Sequence, residues 1–497
     1  LHLYDANMYW PEPLSLAYTE SLIPQSLAAA PVILAGGGPL LAHNLVLLLT
    51  YPLAATFMYA LAWSLTRSRA ASALAGLAYG FSAYRWLHIV HIGVLSYQWL
   101  PLVLLVLRRA VLRPRWPSLA LLGVLGAIQA LSSGYHAVTL GLMIVAISPL
   151  YARRAWRRHS LLPVSAALAI AALVALGAAW PYRLLQERLG LARGREASLH
   201  WSARPESYLN PGEYVGLPQL VALRAAVTDR WPLFPGTAVL LLAPFGVRRG
   251  ARARLALVLA ATGVVLSFGP EVRVGPWSVS GPFEWLRRVP PINMMRDPTR
   301  FVALSHLGLG LLAALGLRRL ARGRFGPALV VVALGLQAAE AYPCEMANRV
   351  REVTPPPPFT AWLASAPRGP VLELPWDSGH PFASGAYLYW STAHWQPMVN
   401  GHGTFEPPGN LGLGALGARF PTARSSRILR GQGVRYVVLH SDALSPQRRE
   451  SLSAREADLP RGVRLAASFG PDRVYEIDTN GPTESRPVER RARGELE

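Results

Sequence analysis

From Leu40 onward the chain alternates apolar stretches of roughly 15 to 26 residues with short polar breaks, a length range that brackets what a helix needs to cross a bilayer core. Ten stretches are predicted as spanning helices: 40–65, 70–84, 92–107, 117–132, 135–150, 160–180, 232–247, 253–269, 299–317 and 325–343. The breaks between them are of two kinds. Five are rich in Arg and free of Asp and Glu, holding Arg67 and Arg69, then Arg108 to Arg115, Arg153 to Arg158, Arg248 to Arg254, and Arg318 to Arg324. They fall in alternate loops, and short Arg-rich loops stay on the cytoplasmic side. The remaining segments (1–38, 85–91, 133–134, 181–231, 270–298 and everything after 343) are then external, and they hold nearly every acidic residue.

Between two of the apolar stretches lies Tyr84-Arg85-Trp86-Leu87-His88-Ile89-Val90-His91, followed by Tyr97-Gln98-Trp99-Leu100-Pro101. Charged and imidazole groups beside lipid-soluble helix are costly unless they meet water, protein or ligand, and Trp and Tyr mark the membrane interface. This segment is therefore placed at one membrane face. Residues 1–38 are mixed in character and read as an external first loop with interfacial helices, closed by Gly36-Gly37-Gly38-Pro39. A membrane domain follows over 39–345, and a Pro-rich linker over 346–358. Runs at Val371–Leu374, Val434–Leu439 and Arg473–Ile477 predict strands of a small α/β domain over 359–479. Trp390–Gly417 reads as loop, and 480–497 as a disordered tail. The expected fold class is mainly α: a polytopic transmembrane bundle of about ten helices, with a small external α/β C-terminal domain.

Composition sharpens this. With 52% hydrophobic and only 15% charged residues, the chain is too apolar for an ordinary soluble enzyme. A net charge of +21 would suit nucleic acid, but no zinc spacing, RNA-binding motif or basic helix with stacking aromatics occurs, so membrane lipid and not nucleic acid is the expected partner. All 49 basic residues are Arg, which a GC-rich bacterial genome explains. A single cysteine, Cys344, excludes an internal disulfide and a multi-cysteine metal site. The chain starts at Leu1 without Met or signal peptide, and the expectation is a chain that lacks an upstream spanning helix and is inactive for that reason.

The external segments gather candidate chemistry: Asp5, Glu12 and Glu20; Arg85, His88, His91 and Gln98; Arg204, Glu206 and Tyr208; Arg296, Asp297 and Arg300. A carboxylate can take the proton of an incoming hydroxyl while guanidinium groups hold a departing phosphate bidentately. Each group also has a plainer role. Arg85 can snorkel at the interface. His88 and His91, spaced i and i+3, have no third ligand in view, so no metal or other cofactor is assigned and a divalent metal is left open. Asp297-Pro298-Thr299 reads as a helix N-cap with Pro at N1. Ser132-Ser133-Gly134 reads as a tight turn, after which His136 can face an external cavity, and Asn400-Gly401-His402-Gly403 has turn chemistry first.

Taken together, Asn7-x-Tyr9-x-Pro11-Glu12-Pro13, Tyr84-Arg85-x-x-His88-x-x-His91 with Gln98-Trp99-x-Pro101, Ser202-Ala203-Arg204-Pro205-x-x-Tyr208-Leu209, and Arg296-x-Pro298-x-Arg300-Phe301 resemble bacterial polytopic proteins of the GT-C glycosyltransferase superfamily. The likeness is to members similar to the polyprenyl-phosphate-sugar transferases and the YfhO-like membrane proteins, and it covers residues 1 to about 345 with the C-terminal domain also typical. It implies a multi-pass protein of the bacterial inner membrane that moves a sugar from a polyprenyl-phosphate-linked donor to an envelope acceptor on the external face. Carried over residue by residue, it implies Glu12 or Asp5 as base and Arg85, Arg204, Arg296 and Arg300 as donor-phosphate contacts. Asn7, Tyr9, Glu20, His88, His91, Gln98, His136 and Tyr208 follow as substrate contacts. The chain departs from the family in that no spanning helix precedes the acidic first loop. The alternative is a non-catalytic or lipid-handling protein of the same fold, a transporter or scaffold, although the inverted repeats of a transporter are not visible.

Overall fold

The computed structural model describes residues 3–20, 22–190, 192–214, 216–227, 229–274, 277–289, 292–344, 354–376 and 381–479. Two compact units result: Ser21–Val350, and a second assembled from Leu1–Glu20 together with Arg351–Glu497. The expected first loop 1–38 is thus divided, its first part belonging to the unit that contains the C-terminal domain.

The Ser21–Val350 unit is helical. Its helices are α1 (Ile23–Leu34), α2 (Pro39–Thr66), α3 (Arg69–Gly80), α4 (Ala83–Leu87), α5 (Ile92–Leu95), α6 (Trp99–Leu112), α7 (Trp116–Ser132), α8 (Gly134–Arg157) and α9 (Leu161–Leu189). After them come α10 (Arg195–His200), α11 (Pro218–Ala226), α12 (Thr237–Gly246), α13 (Ala251–Ser267), α14 (Pro282–Leu286), α15 (Val302–Leu320) and α16 (Gly326–Ala341). All ten apolar stretches contain helix, but 70–84 is broken at Phe81–Ser82, 92–107 at Ser96–Gln98, and 232–247 is helical only from Thr237; the breaks at Gly36–Gly38 and Ser133 fall where the sequence puts them. Among the described residues, five segments are long and apolar enough to cross a membrane: Pro39–Thr66, Ile92–Leu112, Gly134–Arg157, Leu161–Leu189 and Pro298–Leu320. Helices such as α3, with 12 residues, and α12, with 10, rise only about 15 to 18 Å, against a hydrocarbon core of about 30 Å.

Within the unit α15 is the central element, with Leu304, Leu307, Ala313, Ala314 and Leu317 fully buried. Its neighbours reach it through glycine. A Cβ on Gly316 would stand 2.1 Å from Leu242 O and one on Gly246 2.0 Å from Leu312 O, so α12 and α15 meet backbone to backbone. On the α13 side, a Cβ on Gly308 would stand 2.1 Å from Ala260 N. Such close approach supplies the van der Waals packing that holds helices together in lipid, where hydrophobic burial offers little. At the other extreme, only 17% of the apolar window of α9 is buried, and Leu162, Leu173 and Leu176 are exposed. An apolar surface that large calls for a covering that water does not provide.

Two loops differ from expectation. The span predicted to stop at residue 180 continues through Pro181 to Leu189, the turns after it being good helix formers with an Arg183–Glu187 pair at i and i+4 (2.8 Å), and it closes at Gly190 in left-handed geometry, φ 62°. The segment 270–298 is not simply loop: β1 (Glu271–Val274) and β2 (Trp277–Ser280) pair antiparallel before α14.

The second unit contains a four-stranded sheet with strand order β3-β4-β6-β5. The strands are β3 (Val371–Leu374), β4 (Tyr436–His440), β5 (Val463–Phe469) and β6 (Asp472–Ile477); β3 and β4 are parallel, the other neighbours antiparallel. Helices α17 (Pro358–Ser365), α18 (Pro381–Ser391), α19 (Asn410–Gly417), α20 (Ala423–Gly431) and α21 (Pro446–Glu456) accompany it. Leu372, Leu374, Val437 and Leu439 join one apolar cluster, and Val371, Tyr436 and Val438 another, so the strand period of two serves a core on each face. The three predicted strands are present. The region read as loop, Trp390–Gly417, carries the end of α18 and all of α19, and β5 has no counterpart in the sequence reading. Residues 346–353 of the expected linker 346–358 and the tail 480–497 lie outside the described residues.

Residues 7–10 lie along this unit's 398–400 segment. Met398 N donates to Asn7 O (2.6 Å), Trp10 N to Met398 O (2.9 Å) and Tyr9 N to Asn400 O (3.2 Å). Tyr9 and Tyr18 are buried with rings 5.4 Å apart, and Thr404 N donates to Tyr18 O (2.8 Å).

Candidate functional site

The charged cluster of the helical unit forms just before α15. Asp297 is 2% exposed and caps the turn Pro298–Phe301 as the sequence predicts. Its Oδ1 accepts from Thr299 N (3.0 Å) and from the Thr299 hydroxyl, and its Oδ2 from Arg300 Nε (3.4 Å). Burial pushes the Asp297 carboxyl up, against the pull of Arg300. The Arg300 guanidinium lies 3.8 Å from the centre of the Tyr135 ring, whose hydroxyl accepts from Arg296 N (2.7 Å) and Asp297 N (3.1 Å). Tyr135, at the start of α8, thus holds the pre-α15 segment by its backbone and receives a cation on its face.

Arg296 extends the cluster. Its guanidinium stands 4.6 Å from Trp201, Trp201 stacks on Trp231 at 4.6 Å, and Arg230 stands 4.8 Å from Trp231, giving a run of alternating cation and indole faces. Arg193, held by a backbone bond from its N–H to Asn293 O (3.1 Å), is pushed below its ordinary pKa first by burial and then by the charge of Arg296. Three arginines (Arg193, Arg296, Arg300) therefore meet at Tyr135, and one of them, Arg300, is paired with Asp297.

His88 belongs to the same neighbourhood. Burial, with further pressure from His91 and Arg300, drives it down to about 3 against the support of the Tyr84 carbonyl. The ring is neutral at pH 7, and because Nδ1 faces the Tyr84 carbonyl at 2.9 Å that nitrogen carries the proton. Nε2 is left with a lone pair. His91 is exposed, its ring 5.7 Å from that of His88.

The other predicted residues are used differently. Arg85 is fully buried, donating to Leu95 O (2.9 Å) and Thr50 Oγ1 (2.8 Å) between the rings of Tyr51 (4.6 Å) and Tyr97 (4.8 Å). A guanidinium so enclosed ties helices together and has no face left for a donor phosphate. His136 is buried and gives its Nε2 proton to Val94 O (3.0 Å), not to an open cavity, and Gln98 is buried as well. Tyr208 joins Ser267 (3.0 Å) and Ser305 (3.1 Å) inside the helical packing. Arg204 is exposed and starts a short 3-10 turn. Arg296, Arg300 and His88 are thus brought together; Arg85, Gln98, His136 and Tyr208 are interior, and Arg204 is peripheral.

Asp5, Asn7, Tyr9, Glu12 and Glu20 belong to the other unit. Asp5 Oδ1 accepts from Leu14 N (2.7 Å), Asn7 Nδ2 donates to Ser391 Oγ (3.0 Å), and Glu12 N donates to Tyr9 O (2.8 Å). Glu12 and Glu20 are half-buried. The catalytic part expected of Asp5 is displaced by a local one, since its carboxylate closes the turn from Asp5 to Leu14.

No family model matches the sequence, and no curated protein does. The site is therefore read from its own chemistry.

The second unit has a buried charged group of its own that sequence spacing could not reveal. His440 Nδ1 lies 2.7 Å from Asp472 Oδ1 and Nε2 lies 3.1 Å from Glu373 Oε2, so a protonated ring donates to a carboxylate from each nitrogen. Burial opposes that charge, but the bonds to Asp472 and Glu373 outweigh it and hold His440 up at about 9. Phe359, Tyr387 and Trp390 wall the imidazolium at ring separations of 5.5, 5.0 and 5.6 Å. Glu373 is fully buried, its Oε1 has no hydrogen-bond partner among the described residues, and burial raises its pKa. Among the described residues no group of three or more His, Cys, Asp or Glu is placed to hold a metal.

Proposed function

We propose that this chain is an integral membrane glycosyltransferase that takes a sugar from a polyprenyl-phosphate-linked donor on the external face of a bacterial inner membrane. In this reading the shorter helices also lie at membrane depth, as short or tilted spans beside the five long ones, and the acid-free Arg loops face the cytoplasm. The observation that supports it is the gathering of Arg193, Arg296 and Arg300 beside the stacked Trp201 and Trp231 at the start of α15. Guanidinium forks suit a phosphate whose charge grows as the sugar leaves, and indole faces suit a sugar ring. Arg296 and Arg300 are the phosphate contacts of this reading, and His88, neutral with a lone pair on Nε2, lies beside them.

The deciding measurement is donor binding and transfer by the full chain in lipid. Arg296→Ala should weaken donor affinity about 10- to 100-fold, the equivalent of roughly 1.5 to 3 kcal/mol for a charge-assisted contact. Unchanged donor affinity in both Arg296→Ala and Arg300→Ala would remove the phosphate site. A second reading, a lipid-handling protein without catalysis, is favoured by one observation: the carboxylate nearest the arginines, Asp297, is wholly committed to Thr299 and Arg300. Donor binding without transfer by the wild-type chain would select it.

A further inference from the structure

At the end of α15 remote from Asp297 stands a separate collection of charge. The glycine contacts between α12 and α15 draw the 247–250 turn and the first turn of α13 against the last turn of α15. Between them opens a cleft of about 420 Å³ lined by Arg248, Arg249, Arg252, Arg318, Arg319 and Arg322, with Phe245 at its edge. The 19 residues of α15 put it roughly 28 Å along the helix axis from the Asp297 cluster.

Nothing in the elements that build the cleft can neutralise it. The sequence has no Asp or Glu between Asp229 and Glu271, nor between Asp297 and Glu340. None of the six side chains is hydrogen-bonded or ion-paired to a described residue, and Arg318 lies within electrostatic reach of both Arg252 and Arg322. Six guanidinium groups held in one concavity repel one another, and their donors are left for an occupant with several negative charges.

We propose that this cleft binds the headgroup of an anionic membrane lipid that carries two phosphate groups. One phosphodiester would leave most of the guanidinium charge uncompensated, whereas two phosphates offer enough oxygens for several bidentate forks. A lipid fits better than a soluble anion because the cleft continues onto exposed apolar surface. Phe245 (47% exposed) lines it, Leu241 (64%) lies one helical turn away on the same face of α12, and Val247 (49%) follows. Basic pockets between membrane helices recognise phosphorylated headgroups in this way. The inference rests on the lipid-facing character of the helical unit and is independent of any transferase activity.

The test uses the purified full chain in neutral detergent, with lipid retention read by native mass spectrometry for cardiolipin, phosphatidylglycerol and phosphatidylcholine. Cardiolipin should be retained most strongly. The variant Arg249→Gln/Arg252→Gln/Arg322→Gln changes three exposed side chains without bonding partners, so its helix content should stay wild-type, and its cardiolipin affinity should fall roughly a hundredfold. The control Arg153→Gln/Arg157→Gln/Arg158→Gln removes the same charge from another loop and should stay within about twofold of wild type. Equal loss in both variants, or loss in neither, overturns the site. Inorganic pyrophosphate displacing cardiolipin at equal concentration overturns the lipid assignment in favour of a soluble diphosphate.

Discussion

Replacing His440 by Leu tests whether a buried charge organises the sheet of the second unit. In the folded chain the imidazolium is held at a pKa of about 9, against 6.5 for a free histidine. Because the folded value is the higher, the stabilisation is complete below pH 6.5 and is lost as pH climbs through about 9. The difference corresponds to about 3 kcal/mol between these limits. Glu373 works in the other direction, since burial raises its pKa and its ionised form costs stability at neutral pH. Removing the imidazolium therefore does more than erase the pH dependence: it leaves Glu373, already with one oxygen unpaired, without a counter-charge, at a cost of about 3 to 5 kcal/mol. Hydrogen exchange of the Tyr436–His440 amides in the full chain, corrected for intrinsic rates, reads both effects. Wild type should lose protection between pH 6.5 and 9.5. His440→Leu should be weaker at pH 6.5 and flat across that range, and the added Glu373→Leu should restore much of the loss. Wild-type protection that is level from pH 6.5 to 9.5, or a His440→Leu variant that keeps the wild-type slope, would refute the imidazolium assignment.

Gly316→Ala should lower the thermal stability of the detergent-solubilised chain by about 2 kcal/mol or more, because its new methyl meets the Leu242 carbonyl, while Gly177→Ala, with nothing within 4 Å, should be neutral or slightly stabilising. Equal melting of the two variants would show that α12 and α15 do not pack through glycine. Arg85→Ala should destabilise by about 3 to 5 kcal/mol, leaving Thr50 and Leu95 without their donor, yet in chain that remains folded it should not change donor affinity. A donor-binding defect in a folded Arg85→Ala protein would return that residue to the ligand site.

The positions of helices were legible in the sequence because each apolar stretch is a local signal, and so was the Asp297 cap, which needs only three consecutive residues. Whether a stretch is long enough to cross the bilayer was less so: hydropathy does not separate α12, ten residues packed on α15 through Gly246, from the five longer helices. At the site, Arg296 and Arg300 stood out as charges beside an apolar run, but their partners Trp201, Trp231 and Tyr135 come from distant segments and look like ordinary interface aromatics. Arg85 shows the reverse error. Its surroundings suggested a membrane face, whereas Tyr51 and Thr50, more than thirty positions earlier, enclose it. Strand β5 went unseen because Arg464, Ala466, Ala467 and Ser468 give no alternation of the usual kind, its pairing with β6 being decided across the hairpin.

The pairing of residues 7–10 with 398–400 also imposes an order in time. Asn7 leaves the ribosome before any helix of the Ser21–Val350 unit, but the backbone that pairs with it is made only after that unit is complete. At about 5 to 20 residues per second, the first segment waits roughly 20 to 80 s for Met398. Throughout that interval the side chains of Tyr9 and Tyr18, buried in the finished protein, have no sheet to enter. The last strand of their unit, β6, is made later still, so this small domain finishes folding only after every helix of the other unit has been synthesised.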